Sequence, residues 1–196
     1  PQGGIAWTLA TMPRYSYRLY AIPIGPQFTG YIKEQCEFFN DLSPNVRKLL
    51  QCKTHPQDYG WHLKQQLQEH CQDLCFTEQH ITKLLQKSRL VVATYNATTF
   101  LEALSYNYPT VLFFDTATWE LSECGKSFFN HLEEVKIFHK TPESAALHVN
   151  TIADNISAWW EDTQLQKLRK EFCMQYALRA DNWQDIWADF LKKMLR

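Results

Sequence analysis

The chain has 196 residues, and its 20 Lys and Arg against 21 Asp and Glu give a formal net charge of −1 at pH 7. This balance excludes a generally basic nucleic-acid binder and an acidic disordered tail, so we expect no nucleic-acid partner. Hydrophobic residues make up 45% of the chain, and 6 Gly and 8 Pro are too few for a fibrous or low-complexity protein. The sequence therefore predicts a globular domain with a sizeable core.

Neither a membrane-spanning segment nor a signal peptide is expected, because the sequence has no run of about 18 apolar residues and no basic start followed by an apolar stretch. The six cysteines fit reduced thiols and a cytoplasmic location. Cys71, Cys75 and His80 have the spacing C-x3-C-x4-H, which lacks the second half of any zinc finger or ribbon. We therefore expect these side chains to be solvated or in the core, with no metal site.

Short apolar runs alternate with helical patterns along most of the chain. Residues 1–14 contain Gly3, Gly4 and Pro13 without a clear period, so we expect a loop or the remnant of a preceding element there. The predicted strands are 15–24, 46–54, 74–76, Leu90–Ala93, 110–114 and 136–139. The predicted helices are 29–42, 60–71, 78–87, Thr98–Ser105, 124–135 and 142–154, followed by further helices to the C terminus.

This alternation predicts βαβ crossovers and a doubly wound, mostly parallel Rossmann-like α/β sheet in the strand order 3-2-1-4-5-6. The continuous apolar run Leu90–Ala93 is typical of a central strand that is buried on both faces. We expect residues 15–156 to form this domain and residues 157–196 to form a helical C-terminal extension.

In such a sheet, ligands bind beyond the carboxyl ends of the strands where the strand order reverses, here between the first and fourth strands. The fourth predicted strand, Leu90–Ala93, leads through a loop rich in hydroxyl side chains into a helix, whose N terminus can hold a phosphate. The candidate ligands in this hydroxyl loop are Thr94, Asn96, Thr98 and Thr99. Glu102 lies one turn further on and could reach a ribose diol. Alternatively, Thr98 only caps the helix and Glu102 is solvated.

Lys53 and His55 follow the second predicted strand, in the sequence Lys53-Thr54-His55-Pro56. Either side chain could neutralise a phosphate, and His55, the one candidate catalytic residue, could donate a proton. The alternative is that the His-Pro pair only forms a turn. The sequence contains neither G-x-G-x-x-G nor a Walker A motif, so it offers no fingerprint of NAD or of an ATP hydrolase, and we expect no cofactor.

Residues 88–104, followed by Asn107-Tyr108-Pro109-Thr110-Val111, resemble the donor-binding segment of GT-B glycosyltransferases. That segment has a strand, a small or hydroxyl loop, a helix with a Glu, and a turn residue with Pro before the next strand. The chain is similar to transferases of bacterial surface-carbohydrate biosynthesis from about residue 17 to the C terminus. The order Lys53-x-His55-Pro56 and then the hydroxyl loop also resembles the CDP-glycerol glycerophosphotransferases, in which both loops hold donor phosphates.

The resemblance implies the second, donor-binding domain of a GT-B transferase, acting on a nucleotide-activated sugar or alditol phosphate in surface polysaccharide biosynthesis. The sequence departs from the family pattern at Tyr95 and Asn96, which are bulky where many glycosyltransferases have Gly or Ser. Gln2-Gly3-Gly4 stands where the family has a His-Gly loop from its first domain. We therefore expect the N-terminal domain of the same protein as a missing partner that supplies the catalytic base, and no transfer by this chain alone.

Two other functions stay open. One is a nucleotide-sugar epimerase of the same fold, and the other is a non-catalytic partner-binding module. The second alternative depends on four tryptophans in the C-terminal helices, which are expected to lie in the core, against the first domain, or in a homodimer interface. They are Trp159, Trp160, Trp183 and Trp187.

Overall fold

A computed structural model describes residues 3–15, 23 and 25–195 of the chain. The strands in these residues are β1 (Ile5–Thr8), β2 (Leu50–Lys53), β3 (Leu90–Ala93), β4 (Thr110–Phe113) and β5 (Phe138–His139). They form a parallel five-stranded open sheet in the order β2-β1-β3-β4-β5. The predicted doubly wound α/β fold, with Leu90–Ala93 as its central strand, is confirmed.

Helices cover the sheet and continue beyond it to the C-terminal end of the described chain. They are α1 (Gln27–Asp41), α2 (Pro44–Arg47), α3 (Leu63–His70), α4 (Ile81–Lys87), α5 (Thr98–Ser105), α6 (Glu123–Glu134), α7 (Pro142–Ile152), α8 (Ile156–Trp160), α9 (Thr163–Tyr176) and α10 (Trp183–Met194). The predicted helix Thr98–Ser105 agrees with α5 at both ends.

The central strands are apolar at nearly every position because both faces of the sheet are covered. All four residues of β1, of β3 and of β4 are buried. On one face, Trp7 of β1 packs against Phe38 and Phe39 of α1, with ring centroids 5.6 and 6.2 Å apart. On the other face, Ala6 and Val91 belong to a smaller core cluster with residues of α4 and α5. Successive side chains of a strand therefore stabilise opposite layers of the domain.

The first strand lies earlier in the chain than the sequence pattern indicated. The expected loop over residues 1–14 is wrong for Ile5–Thr8, which pairs with both β2 and β3 in the middle of the sheet. The expected strand over 15–24 lies outside the described residues, apart from Tyr15 and Pro23. Because β1 lies beside Leu90–Ala93, the strand order still reverses between the first strand and Leu90–Ala93.

The predicted third strand, 74–76, is reduced to one parallel bridge between Cys52 and Phe76 at the outer edge of β2. The Cys52 N–H donates to the Cys75 carbonyl at 2.8 Å, and the Thr77 N–H donates to the Cys52 carbonyl at 2.9 Å. Cys75 is exposed, so the expectation of a buried strand is wrong. The bridge nevertheless brings residues 78–80 beside the carboxyl end of β2.

The C-terminal helices divide into a packed part and an exposed part. Helix α9 packs against α5 and α6, and Trp160 of α8 is buried, with its indole N–H donating to the Asn107 carbonyl at 3.1 Å. Helix α10 has no buried residue among those described, and Trp183 and Trp187 are 57% and 56% exposed. The four C-terminal tryptophans therefore do not share one environment.

Candidate functional site

A chain of hydrogen bonds ties together the carboxyl ends of β1 and β3, where the strand order reverses. The Thr94 hydroxyl donates to the Thr8 carbonyl at 3.0 Å, so it accepts its 2.6 Å hydrogen bond from the Tyr31 hydroxyl. The Tyr31 oxygen in turn accepts from the Ala10 N–H at 2.7 Å. Burial strongly raises the pKa of Tyr31, which keeps its hydroxyl protonated as a donor. The floor of the site is therefore fixed by neutral groups.

A cavity of about 390 Å³ opens beside this floor. It collects polar side chains from the end of β2, from the segment before α4, from the loop between β3 and α5, and from the first turn of α5. These side chains are Lys53, His55, Glu78, His80, Tyr95 and Thr99. A cavity of this size, with a few convergent polar groups at the switch point of an α/β sheet, has the features of a small-molecule site.

His55 is held in a defined orientation although it is exposed. Its Nδ1 accepts the Gln57 N–H at 3.1 Å, and its ring stacks on Tyr59 with the centroids 5.8 Å apart. Because a neutral imidazole has one donor and one acceptor nitrogen, the Nε2 atom of neutral His55 carries the proton. His55 can therefore present an N–H donor to a ligand without a change in its local structure.

One lysine, Lys53, and one carboxylate, Glu78, line the cavity. Glu78 forms an ion pair with Lys64, and this lysine lowers the pKa of Glu78, with a smaller contribution from Lys53. Lys53, the last residue of β2, forms no ion pair within the described part of the chain and is half-buried. The cavity can therefore accept an anion, because Glu78 is already neutralised by Lys64.

Tyr95 fills part of the crevice with its ring and contacts α5 through its hydroxyl. The Tyr95 oxygen lies 2.7 Å from Thr99 Oγ1. Burial raises the pKa of Tyr95, while the hydrogen bonds to Thr99 and Thr8 act in the opposite direction. The bulky residue that departs from the glycosyltransferase pattern thus positions a hydroxyl of the first turn of α5 at the cavity.

Helix α5 begins at Thr98, and Ala97 is its N-cap residue. No side chain of the described residues forms a capping hydrogen bond at this N terminus. Thr98 therefore does not cap this helix. The first N–H groups of an α-helix have no partner within the helix, and the positive end of the helix dipole lies at this terminus. The first turn of α5 can bind an anion that approaches from the carboxyl ends of the strands.

A second opening, a groove of about 370 Å³, lies on another side of α5 and contains Thr98 and Glu102. Its other wall is the segment between α9 and α10, with Arg179 and Trp183. The Arg179 guanidinium lies over the Tyr106 ring, 4.5 Å from the ring centroid. The groove thus combines a carboxylate, a guanidinium, several hydroxyls and two aromatic side chains.

The structure divides the predicted site residues into separate groups. Lys53, His55 and Thr99 meet at the cavity, whereas Thr98 and Glu102 lie together in the groove. Thr94 is fully buried, and its hydroxyl supports the floor of the crevice. Asn96 lies half-buried in the loop between β3 and α5.

Sequence reasoning missed four residues that the structure adds to these two openings. Glu78 and His80 reach the cavity through the edge bridge beside β2, and Tyr106 and Arg179 reach the groove. The sequence offered a local signal that Tyr106 belongs to the groove, because Tyr106 lies four residues after Glu102 on the same helical face. Glu78 and His80 had no comparable local signal, because a long-range contact places them.

Fold and site together define a doubly wound α/β protein with a polar cavity at its topological switch point. The chain matches the family described as LIC12162 family transferase over residues 1–191. It therefore belongs to the LIC12162 family of transferases. Comparison with curated protein sequences gave no match.

Three further observations concern membranes, metals and thiols. None of the described helices is both long and apolar enough to cross a membrane. Within residues 3–15, 23 and 25–195, no three His, Cys, Asp or Glu side chains form a group that could hold a metal ion. All six cysteines are free thiols.

Proposed function

We propose that this transferase binds a nucleotide-activated sugar or alditol phosphate as its donor, with the donor phosphates at the first turn of α5. One observation carries the proposal: the uncapped N terminus of α5 lies at the switch point, between the cavity with Lys53 and His55 and the groove with Glu102. A helix N terminus, a lysine and hydroxyl groups at one location are typical of a phosphate site.

In this proposal, catalysis depends on stabilising the leaving phosphate. Negative charge develops on the donor phosphate as its bond to the transferred group breaks. The N–H groups of α5, the Thr99 hydroxyl and Lys53 are placed to stabilise that charge. His55 adds an N–H donor at the same cavity. We assign no catalytic base to this chain.

The groove is the proposed site of the nucleoside. The Glu102 carboxylate, which forms no ion pair in the described part of the chain, can accept hydrogen bonds from ribose hydroxyls. Tyr106 and Trp183 offer aromatic faces for a base, and a stacked base contributes about 1–3 kcal/mol in other nucleotide-binding proteins. The nucleoside and its phosphates would then occupy adjacent sides of one short helix.

We propose a growing surface polysaccharide as the acceptor. The resemblance of the β3–α5 segment to transferases of surface-carbohydrate biosynthesis supports this acceptor class. Membership of a transferase family agrees with a group-transfer reaction.

A thermal-shift screen tests the proposal. The chain is titrated with CMP-, CDP-, UDP-, GDP- and dTDP-linked sugars and alditols, and with the corresponding free sugars and alditol phosphates as controls. A ligand that binds only the native state raises the melting temperature in a concentration-dependent way. We expect this rise with at least one nucleotide-linked compound and not with its nucleotide-free control. No rise with any nucleotide at millimolar concentration would contradict the proposal.

A further inference from the structure

We propose that Cys36 and Cys71 are a site of reversible oxidation, at which a peroxide converts the two thiols into a disulfide between α1 and α3. Neither residue lines the cavity or the groove. The inference therefore goes beyond the proposed function and does not depend on it.

Two packed helices bring these thiols together although they are far apart in sequence. Cys36 lies within α1, and Cys71 is the C-cap residue of α3. The two helices pack against each other, and the Asn40 side chain, one turn after Cys36, donates to the His70 carbonyl at 3.5 Å. A hydrogen bond joins the Cys36 and Cys71 side chains themselves. The two sulfur atoms are thus neighbours before any oxidation takes place.

The surroundings of the two thiols make them chemically unequal. The hydrogen bond from Cys71 lowers the pKa of Cys36, while burial and the charge of Glu37 oppose this effect. The same hydrogen bond raises the pKa of Cys71, and burial raises it further. Cys36 is also the more accessible thiol, with 9% of its surface exposed against 1% for Cys71. Because the thiolate is the nucleophile, Cys36 is the thiol that attacks an oxidant, and Cys71 is the thiol that resolves the product.

The oxidant in this proposal is hydrogen peroxide or another hydroperoxide. The Cys36 thiolate attacks one peroxide oxygen, the O–O bond breaks, and the leaving hydroxide takes up the proton that Cys36 released, which gives water. Cys36 is then a sulfenic acid. The Cys71 sulfur attacks the sulfur of this acid, and the displaced hydroxyl group leaves as a second water with the Cys71 proton. The two thiols together lose two electrons, which the peroxide gains.

A third thiol, Cys52 of β2, lies near Cys71 and is the competing partner. Cys52 is fully buried, and burial raises its pKa. Its N–H and its carbonyl are both held in the bridge beside β2. Cys71, by contrast, ends α3 and leads into an exposed turn at residues 72–73, which can follow a small movement of its sulfur. A bond to Cys36 therefore requires less change in the fold than a bond to Cys52.

Peptide mapping after oxidation tests the inference. The chain is treated with hydrogen peroxide, unfolded in guanidinium with iodoacetamide, and digested with trypsin without a reductant. Trypsin separates Cys36, Cys52 and Cys71 into three peptides, which span residues 34–47, 49–53 and 65–83. The last peptide also contains Cys75, so the mapping uses the Cys75→Ser variant, which keeps both proposed thiols. Cys36→Ser in the same background is the matched variant, and melting temperatures verify that both chains fold.

In the Cys75→Ser chain, we expect peptides 34–47 and 65–83 to be joined by a bond that dithiothreitol breaks. Oxidation should also raise the melting temperature of this chain, because a cross-link restricts the unfolded state. Neither change should occur when Cys36→Ser is added. The peroxide concentration is increased until the exposed Cys124 is oxidised, which shows that the oxidant has acted. Absence of the joined peptides at that point, or a bond from Cys71 to Cys52 instead, would overturn the inference.

Discussion

The Tyr31 hydroxyl lies 2.6 Å from Thr94 Oγ1 and joins α1 to the carboxyl end of β3 beneath the crevice. Both side chains are buried, and each oxygen is satisfied, since Tyr31 also accepts from the Ala10 N–H and Thr94 donates to the Thr8 carbonyl. Buried polar chains of this kind fix a unique arrangement when every member is satisfied. Its hydrogen bonds to Tyr31 and to Thr8 therefore make Thr94 a residue that supports the floor of the crevice.

The first prediction concerns this pair. Tyr31→Phe should lower the free energy of unfolding by about 1–3 kcal/mol, because the buried Ala10 N–H loses its acceptor. Tyr108→Phe is the control, since the Tyr108 hydroxyl has no hydrogen-bond partner in the described part of the chain. Urea denaturation measures both variants. A double-mutant cycle that combines Tyr31→Phe with Thr94→Val should give a favourable coupling energy between the two side chains. Equal stability of the Tyr31 and Tyr108 variants would contradict this account.

A pair of neighbouring histidines, His139 buried and His148 half-buried, makes stability depend on pH. His139 and His148 have ring centroids 5.3 Å apart, and His139 is bonded to the Ser144 hydroxyl at 2.8 Å and donates to the Lys136 carbonyl at 3.1 Å. Burial lowers the pKa of each histidine from 6.5 to about 4, and the charge of nearby Lys136 acts in the same direction. The hydrogen bond to the Lys136 carbonyl opposes this effect at His139 by raising its pKa. Below pH 6.5 the unfolded chain therefore takes up protons that the folded chain excludes, and stability falls until about pH 4.

The second prediction follows from the unpaired Nε2 of His148, which is buried without a hydrogen-bond partner. His148→Phe keeps a ring against Trp159 and removes the titrating group. The variant should lose less stability than the wild type between pH 7 and pH 4.5, by about 2 kcal/mol. Urea midpoints at the two pH values measure the difference. His131→Gln serves as the control, because His131 is exposed and its replacement leaves the His139–His148 pair intact.

The exposed face of α10 is the surface most suited to self-association. Its half-exposed apolar side chains recur at helical spacing and are Trp183, Ile186, Trp187, Phe190, Leu191 and Met194. Asp185 lies in the first turn and Lys192 and Lys193 in the last. An antiparallel pair of α10 helices would bring the acidic end of each copy beside the basic end of the other. A standard interface buries about 800 Å² per partner, and these six half-exposed apolar side chains offer a broad face for one.

The third prediction is that a second copy of this chain covers α10. Sedimentation velocity should show a monomer–dimer equilibrium in the micromolar range, and Trp187→Glu should shift it to monomer. Leu147→Glu is the control, because Leu147 is an exposed apolar residue on α7, away from this face. A wild-type chain that stays monomeric at every concentration would exclude the homodimer.

The β3–α5 segment could be predicted from sequence because its signals are local. A continuous apolar run, a hydroxyl loop and a helical pattern follow one another without interruption, and α5 has the predicted bounds. The strand β1 was missed because the nearby Gly3, Gly4 and Pro13 gave residues 1–14 the composition of a loop. Gly3 and Gly4 were the available signal for this strand, because glycine marks positions where another backbone approaches closely. A Cβ at Gly3 would lie 1.5 Å from the Lys87 carbonyl oxygen, and a Cβ at Gly4 would lie 2.6 Å from the Leu49 carbonyl oxygen.

The candidate site could be predicted only in part, since helical spacing does not determine which side chains share an opening. Thr98 and Thr99 are adjacent in sequence, yet they line different openings because successive helical residues point about 100° apart. His80 reaches the cavity through the single bridge at Phe76, and no local pattern encodes that contact. Arg179 lies at the groove because α9 packs against α5.

The central claim is that donor phosphates bind at the first turn of α5, and calorimetry on Thr99→Val tests it most directly. Thr99 lies in the first turn of α5, and its side chain lines the cavity with Lys53 and His55. Thr163→Val is the control, because Thr163 lies in the first turn of α9, whose N terminus is capped by Asp162. We predict that Thr99→Val weakens binding of the nucleotide found in the screen by about 1–2 kcal/mol, while Thr163→Val binds it as the wild type does. Equal affinities for all three proteins would contradict the assignment of the phosphate site to α5.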